Sequence, residues 1–193
     1  MAKLIGFKKI YTAVFISGKG SNLRSLIKFS KHKKSPINIK MIVSDNPKSK
    51  GLKLGKTFKI KKKIFNFKKK EQTEKKVILE LKKNNINLIC LAGFMKILSK
   101  NFIKNFNGKI LNIHPSLLPK FKGLNTHERV IKSKEKFSGC TVHFVNSKLD
   151  SGKIILQKKV RVDKNETIKT LAKKVLREEH MLYPKAIFKI FNL

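Results

Sequence analysis

Tryptophan is absent from this chain of 193 residues, which also holds only two cysteines, three aspartates and four arginines. Each scarcity excludes something. Cys90 and Cys140 stand alone, with no CxxC pair, so a disulfide framework is not expected and both read as small core residues in a reducing compartment. No apolar run approaches the roughly 20 residues of a membrane helix; the best, Leu88 to Met95, has eight. The N-terminus carries lysines but neither a long apolar stretch nor a small-residue cleavage site, so no signal peptide is expected. His114, His127 and His143 lack HExxH or close ligand spacing, which favours core or surface roles over zinc.

Acidic residues are also scarce: 11 Asp and Glu against 47 Lys and Arg leave a net charge of +36. A charge of that size raises nucleic-acid binding as a class. Two features speak against it. Arg24, Arg129, Arg161 and Arg177 are the only arginines, whereas phosphate and guanine recognition favours the Arg fork. The lysines are spread along the whole chain and form no stripe. Together with abundant Asn, Ile and Phe, they read as the drift of an A/T-rich genome over solvated positions. At low salt such a surface attracts anions without specificity.

What is present is a core and an alternating pattern. A hydrophobic content of 40% suffices for one domain over residues 1–193, somewhat above the usual size of roughly 100 to 150 residues. Tyr11–Ile16 and Ile37–Val43 read as strands, a Lys-rich stretch with Ile60, Ile64, Phe65 and Phe67 as a weaker one, and Ile86–Leu91 as a strand buried on both faces. Lys109–His114, Gly139–Val145 and Lys153–Val162 complete the strands. Helices follow from Leu23, Leu26 and Ile27, from Val77, Ile78 and Leu81, from an N-cap at Ser99, and from about Thr167, with Pro184 expected to bend or end the last one. The implied class is α/β, a mainly parallel sheet flanked by helices with its late strands antiparallel. Ligands in such sheets bind beyond the carboxyl ends of the strands.

Two stretches carry candidate chemistry. SGKGSN, residues 17–22, lies between a strand and a helix. Its small residues let backbone N–H groups converge on an anion at a helix N-terminus, although it is neither a Walker A loop nor a complete dinucleotide fingerprint. The alternative is a plain turn capped by Ser21. LNIHPSLLP, residues 111–119, places Asn112 and His114 on one strand face, roughly 6 to 7 Å apart, with Pro115 keeping His114 extended. Asp150, in the connecting loop SKLDSGK, falls near the same sheet end. A carboxylate beside an imidazole raises its pKa and favours the charged form, which suits a donor to a developing oxyanion. A structural His–Asp pair explains the spacing equally well. Ser116 lacks a GxSxG elbow and reads as a turn cap. Glu179 lies on the apolar side of the last helix, so it either pairs with a lysine or reaches a ligand hydroxyl.

SGKGSNL, LAGFMKIL, LNIHPSLLPKFKG, the HF…LDSG segment and EEHMLYP occur in that order. Together they resemble the phosphoribosylglycinamide formyltransferase family over nearly the whole chain; NxHPSLLP alone marks only the wider formyltransferase fold, which is Rossmann-like. The resemblance implies transfer of a formyl group from 10-formyltetrahydrofolate, as cosubstrate and without a metal, to glycinamide ribonucleotide in purine synthesis. It implies that Asn112, His114 and Asp150 are the catalytic trio. It further implies that Gly20, Ser21 and Asn22 hold the nucleotide's phosphate and that Glu179 contacts the nucleotide. By the same resemblance Lys70, Met95, Lys96, Ile97, Leu98 and Asn112 are expected to contact the folate, with residues 146–150 around its pterin. In partners and compartment it implies the two small molecules, no specific nucleic acid, no membrane, a monomer or weak homodimer, and the cytoplasm. A methionyl-tRNA formyltransferase would carry a further C-terminal domain and a formyltetrahydrofolate hydrolase an N-terminal one; the length leads us to expect neither. Lys96 and Lys70 stand where the family often has arginine, Asn125 where it has histidine, and Ser151 where it has glycine.

Overall fold

A computed structural model describes residues 9–191. One seven-stranded sheet runs through it in the order β3-β2-β1-β4-β5-β6-β7. The strands are β1 Ile10–Ile16, β2 Ile37–Ser44, β3 Lys61–Ile64, β4 Leu88–Leu91, β5 Lys109–His114, β6 Phe137–Phe144 and β7 Ile154–Arg161. β1 to β5 are mutually parallel, and β6 and β7 pair antiparallel, as the pattern led us to expect. The helices are α1 Ser21–Ser30, α2 Lys53–Thr57, α3 Lys70–Lys83, α4 Lys100–Asn105, α5 Thr126–Lys132 and α6 Ile168–Ile190.

The period-two alternation of β1 divides the core. Val14 and Ile16 point into a layer with Leu23, Leu26 and Ile27 of α1 and Leu171, Val175 and Tyr183 of α6. Ala13 and Phe15 point the other way, towards Val77 and Leu81 of α3 and Phe102 of α4. A fully buried Ile or Leu side chain contributes about 1.5–3 kcal/mol, so a strand covered on both faces is fixed in position. Because β1 lies between β2 and β4, the chain order reverses there, and a crevice opens at the carboxyl ends of the strands.

α6 runs through Pro184, so of the two outcomes expected there, a bend or an end, the helix does not end. Proline removes the N–H that would bond the carbonyl four residues back, which is His180. Ser25 Oγ of α1 donates to that carbonyl at 2.7 Å, so the helix loses a bond but leaves no acceptor unmet. Tyr183, one residue earlier, shares its hydroxyl between the Leu91 and Leu111 carbonyls, 3.1 Å from each. It thereby ties α6 to the ends of β4 and β5 next to Asn112.

The edge strand β3 is mostly lysine. Glu80 of α3 meets Lys61 at 2.7 Å and Lys63 at 3.4 Å, and the Lys61 hydrogen bond chiefly holds its carboxyl down to about 2. A short, charged edge resists pairing with another chain, which is one structural use of the lysine excess.

Candidate active site

β5 ends on Asn112 and His114, whose register partners across the antiparallel pair are His143 and Thr141 of β6. The loop between β6 and β7 then carries Asp150 back over the same spot. Asp150 adopts a left-handed backbone (φ 45°), uncommon for a residue with a Cβ. Its Oδ2 accepts the Gly123 N–H at 2.8 Å and faces His114 Nδ1 at 3.3 Å. Its Oδ1 lies 3.4 Å from Asn112 Nδ2 and 3.7 Å from His143 Nε2. The expected trio is therefore one cluster, with the imidazole aimed at the aspartate.

His143 belongs to it as well, and the sequence reading missed this. Its Nδ1 donates to the Phe144 carbonyl at 2.8 Å, which in the neutral ring leaves Nε2 to accept from Asn112 Nδ2 at 3.2 Å. Only the antiparallel register of β5 and β6 reveals that contact.

His114 Nε2 donates to the Phe121 carbonyl at 2.9 Å. Both ring nitrogens thus face oxygen acceptors, an arrangement fully satisfied only by the doubly protonated ring. Burial nevertheless lowers the imidazole pKa, against upward pulls from Phe121 and Asp150. The net direction is downward, which corrects the expectation that Asp150 keeps the ring charged. Desolvation outweighs one carboxylate, and His143 and Arg129 add to it. The ring is poised to take up a proton. For Asp150, burial pushes the pKa up, but His143, the Gly123 N–H and His114 together outweigh it, and the carboxyl sits below its ordinary range.

These groups line a cleft of about 590 Å³ at the carboxyl ends of β4 and β5, beside His143 of β6 and the loop that follows it, within the roughly 300 to 1,000 Å³ usual for small-molecule sites. Met95, Lys96, Ile97 and Leu98 form one wall, and residues 146–150 another. Met95 and Ile97 are about 60% exposed, unusual for large apolar side chains beside a polar cluster. Ser151 offers its hydroxyl to Lys122 Nζ at 2.5 Å and donates to the Leu149 carbonyl at 2.8 Å, contacts a glycine lacks. Asn125 takes a left-handed backbone (φ 54°) at the start of α5, which asparagine tolerates well.

The glycine turn lies apart from this lining. Gly20 is the N-cap of α1 with φ 76° and no side-chain cap, so Ser21 is not the cap. A Cβ on Gly20 would sit 2.7 Å from Gly51 Cα, which only glycine avoids. Asn22 Nδ2 donates to Glu179 Oε2 at 2.6 Å, while Asn22 Oδ1 is buried with no partner. Glu179 thus pairs with an amide and not with a lysine, and burial raises its pKa. Lys70 is exposed at the N-terminus of α3 and is not among the residues lining the cleft.

The formyl transferase family profile matches residues 9–187. Phosphoribosylglycinamide formyltransferase of Haemophilus influenzae is 39% identical over 183 residues, covering 93% of this chain and 85% of that protein. The chain belongs to the phosphoribosylglycinamide formyltransferase family. The Brucella melitensis phosphoribosylglycinamide formyltransferase structure has a TM-score of 0.89 at 41% identity, covering 95% of this chain and 96% of that one. The human trifunctional purine biosynthetic protein adenosine-3 is 41% identical over 183 residues. The chain spans only 18% of the length of that trifunctional relative. Family membership accounts for the coexistence of the glycine turn, the cleft and the polar cluster in one sheet.

Proposed function

We propose that this chain, as one domain acting as a monomer or weak homodimer, transfers the formyl group of 10-formyltetrahydrofolate to the amine of glycinamide ribonucleotide. The observation that carries the reading is the convergence of Asn112, His114 and Asp150 in an apolar-walled cleft. The exposed Met95 and Ile97 and the buried Leu98 fit a flat heteroaromatic ring, and the capless N-terminus of α1 at Gly20, Ser21 and Asn22 fits a phosphate. Lys96 and, beyond the cleft, Lys70 supply charge for the donor's carboxylates. Glu179, beside Asn22, faces the nucleotide side.

The donor supplies the electrophilic formyl carbon. Asn112, whose amide contact with Asp150 is long at 3.4 Å, turns an N–H to the formyl oxygen as negative charge develops there. His114, whose Nε2 is committed to the Phe121 carbonyl, takes at Nδ1 the proton that the attacking amine sheds, and the imidazolium charge offsets the negative charge on that oxygen. Its lowered pKa suits a ring that is a free base at rest. Asp150 stabilises the imidazolium through Nδ1 and fixes the ring's direction, and His114 then returns the proton to the departing folate nitrogen. The cytoplasm is the compartment this reading assigns. Cys90 and Cys140 are free there, and burial lifts both thiols to about 12. Among the described residues no helix is long and apolar enough to cross a membrane.

The purified protein given 10-formyltetrahydrofolate and glycinamide ribonucleotide releases tetrahydrofolate on this account. Absence of nucleotide-dependent release overturns it.

A further inference from the structure

Between the glycine turn and the 94–98 wall lies a carboxylate that the mechanism does not use. Asp45 follows β2, and its side chain is 8% exposed. Its Oδ1 accepts the Ser17 hydroxyl at 2.5 Å, and Ser17 Oγ accepts the Met95 N–H at 2.8 Å. The direction of this chain is forced. A backbone N–H only donates, a carboxylate only accepts, and the single hydroxyl hydrogen must go to Asp45. Oδ2 of Asp45 faces Lys96 Nζ at 3.9 Å. Ser17 is itself pinned, its N–H donating to the Gly93 carbonyl at 3.0 Å and its carbonyl accepting Asn46 Nδ2 at 3.2 Å.

The segment this chain reaches needs such an anchor. Residues 94–98 have no regular structure, yet present Met95 and Ile97 largely exposed to the cleft. Phe94 holds one side, packing edge-on against Phe15 and Phe67 with ring centroids at 5.3 and 5.6 Å. The Met95 N–H is the polar hold on the other side. Ser17 follows the last residue of β1, so the hydroxyl ties the lip to the end of that strand.

We infer that Asp45 is a positioning residue for the formyl donor: through the Ser17 hydroxyl it holds the Met95 backbone, and with it the Met95–Ile97 lip, in the register that receives the donor's ring. This rests on the formyl-transfer reading above. Asp45→Asn keeps an acceptor for Ser17, whereas Asp45→Ala and Ser17→Ala each break the chain.

The test uses the full chain. In Asp45→Ala and Ser17→Ala the KM for 10-formyltetrahydrofolate rises roughly five- to tenfold, as expected for one lost hydrogen bond to a carboxylate-backed partner. The kcat and the KM for glycinamide ribonucleotide stay within about twofold of the unaltered protein, and Asp45→Asn restores the donor KM to about that range. In the ligand-free protein, exchange of the Met95 amide hydrogen accelerates at least about tenfold in the two chain-breaking variants but not in Asp45→Asn. A donor KM that does not move, or an unchanged Met95 exchange rate, overturns the inference. A loss shared equally by kcat, both KM values and thermal stability also overturns it, as a purely structural effect. No turnover in the unaltered protein overturns the formyl-transfer reading instead, and the donor role of Asp45 with it.

Discussion

Asp150 and Glu179 are both carboxylates with little solvent access, and their environments move them in opposite directions. Asp150 is surrounded by the Gly123 N–H, His114, Asn112 and His143. Glu179 has one amide donor, Asn22. Burial alone raises a carboxyl pKa, and one hydrogen bond does not offset it, whereas the Gly123 N–H and the two imidazoles around Asp150 together do. The first carboxylate is shifted towards the charged form beside the His114 ring that it faces. The second is shifted towards the neutral form, with an unmet amide oxygen beside it.

The largest expected effect separates the two sites by chemistry. Asn112→Ala and His114→Ala each lower kcat roughly 100- to 1,000-fold, with thermal midpoints shifted by no more than a few degrees. Glu179→Gln leaves kcat within about tenfold and acts mainly on the KM for the nucleotide. Steady-state kinetics beside thermal melts read both, and equal kcat losses at the two positions would erase the distinction.

A smaller effect lies in the pH profile. In the proposed mechanism His114 acts as the free base, and its pKa is lowered by burial, so the acid limb of kcat/KM for formyl transfer is expected below the ordinary imidazole value of roughly 6.5. A limb midpoint above that value would show that the charge of Asp150 prevails over burial.

The smallest effect is on stability. A carboxyl whose folded pKa is raised stabilises the fold below its unfolded pKa of about 4.3, and that contribution is lost as pH climbs through the folded value. Glu179→Gln removes this loss and lets the new amide meet Asn22 Oδ1. It therefore stabilises the protein by about 1 kcal/mol near neutrality and by less at pH of about 4. Asp150→Asn behaves oppositely. A depressed carboxyl contributes stability above its unfolded pKa of about 3.9, lost as pH falls through the folded value. Its destabilisation is fullest at neutral pH and shrinks in acid. Urea unfolding at the two pH values measures both signs.

Residues legible in the sequence were those whose role follows from local pattern. The alternation in β1 and β5 places Asn112 and His114 on one face, and the turn chemistry after β6 places Asp150 at the sheet end. What the sequence hid depends on pairing between distant segments. His143 joins the site through the register of β6 against β5. Pro184 leaves α6 unbroken because Ser25, on another helix, supplies the missing donor. The partner of Glu179 is an asparagine 157 positions away, invisible amid so many lysines. The short helices α2 and α5 carry too few apolar residues for a helical period to show.

The most direct test is the single-turnover rate of formyl transfer by Asp150→Asn with both substrates saturating, against the unaltered protein. An amide cannot stabilise the imidazolium at position 114, so the rate is expected to fall at least roughly 100-fold while both substrates still bind. A rate within about twofold of the unaltered protein would contradict the claim that Asn112, His114 and Asp150 work as one catalytic unit.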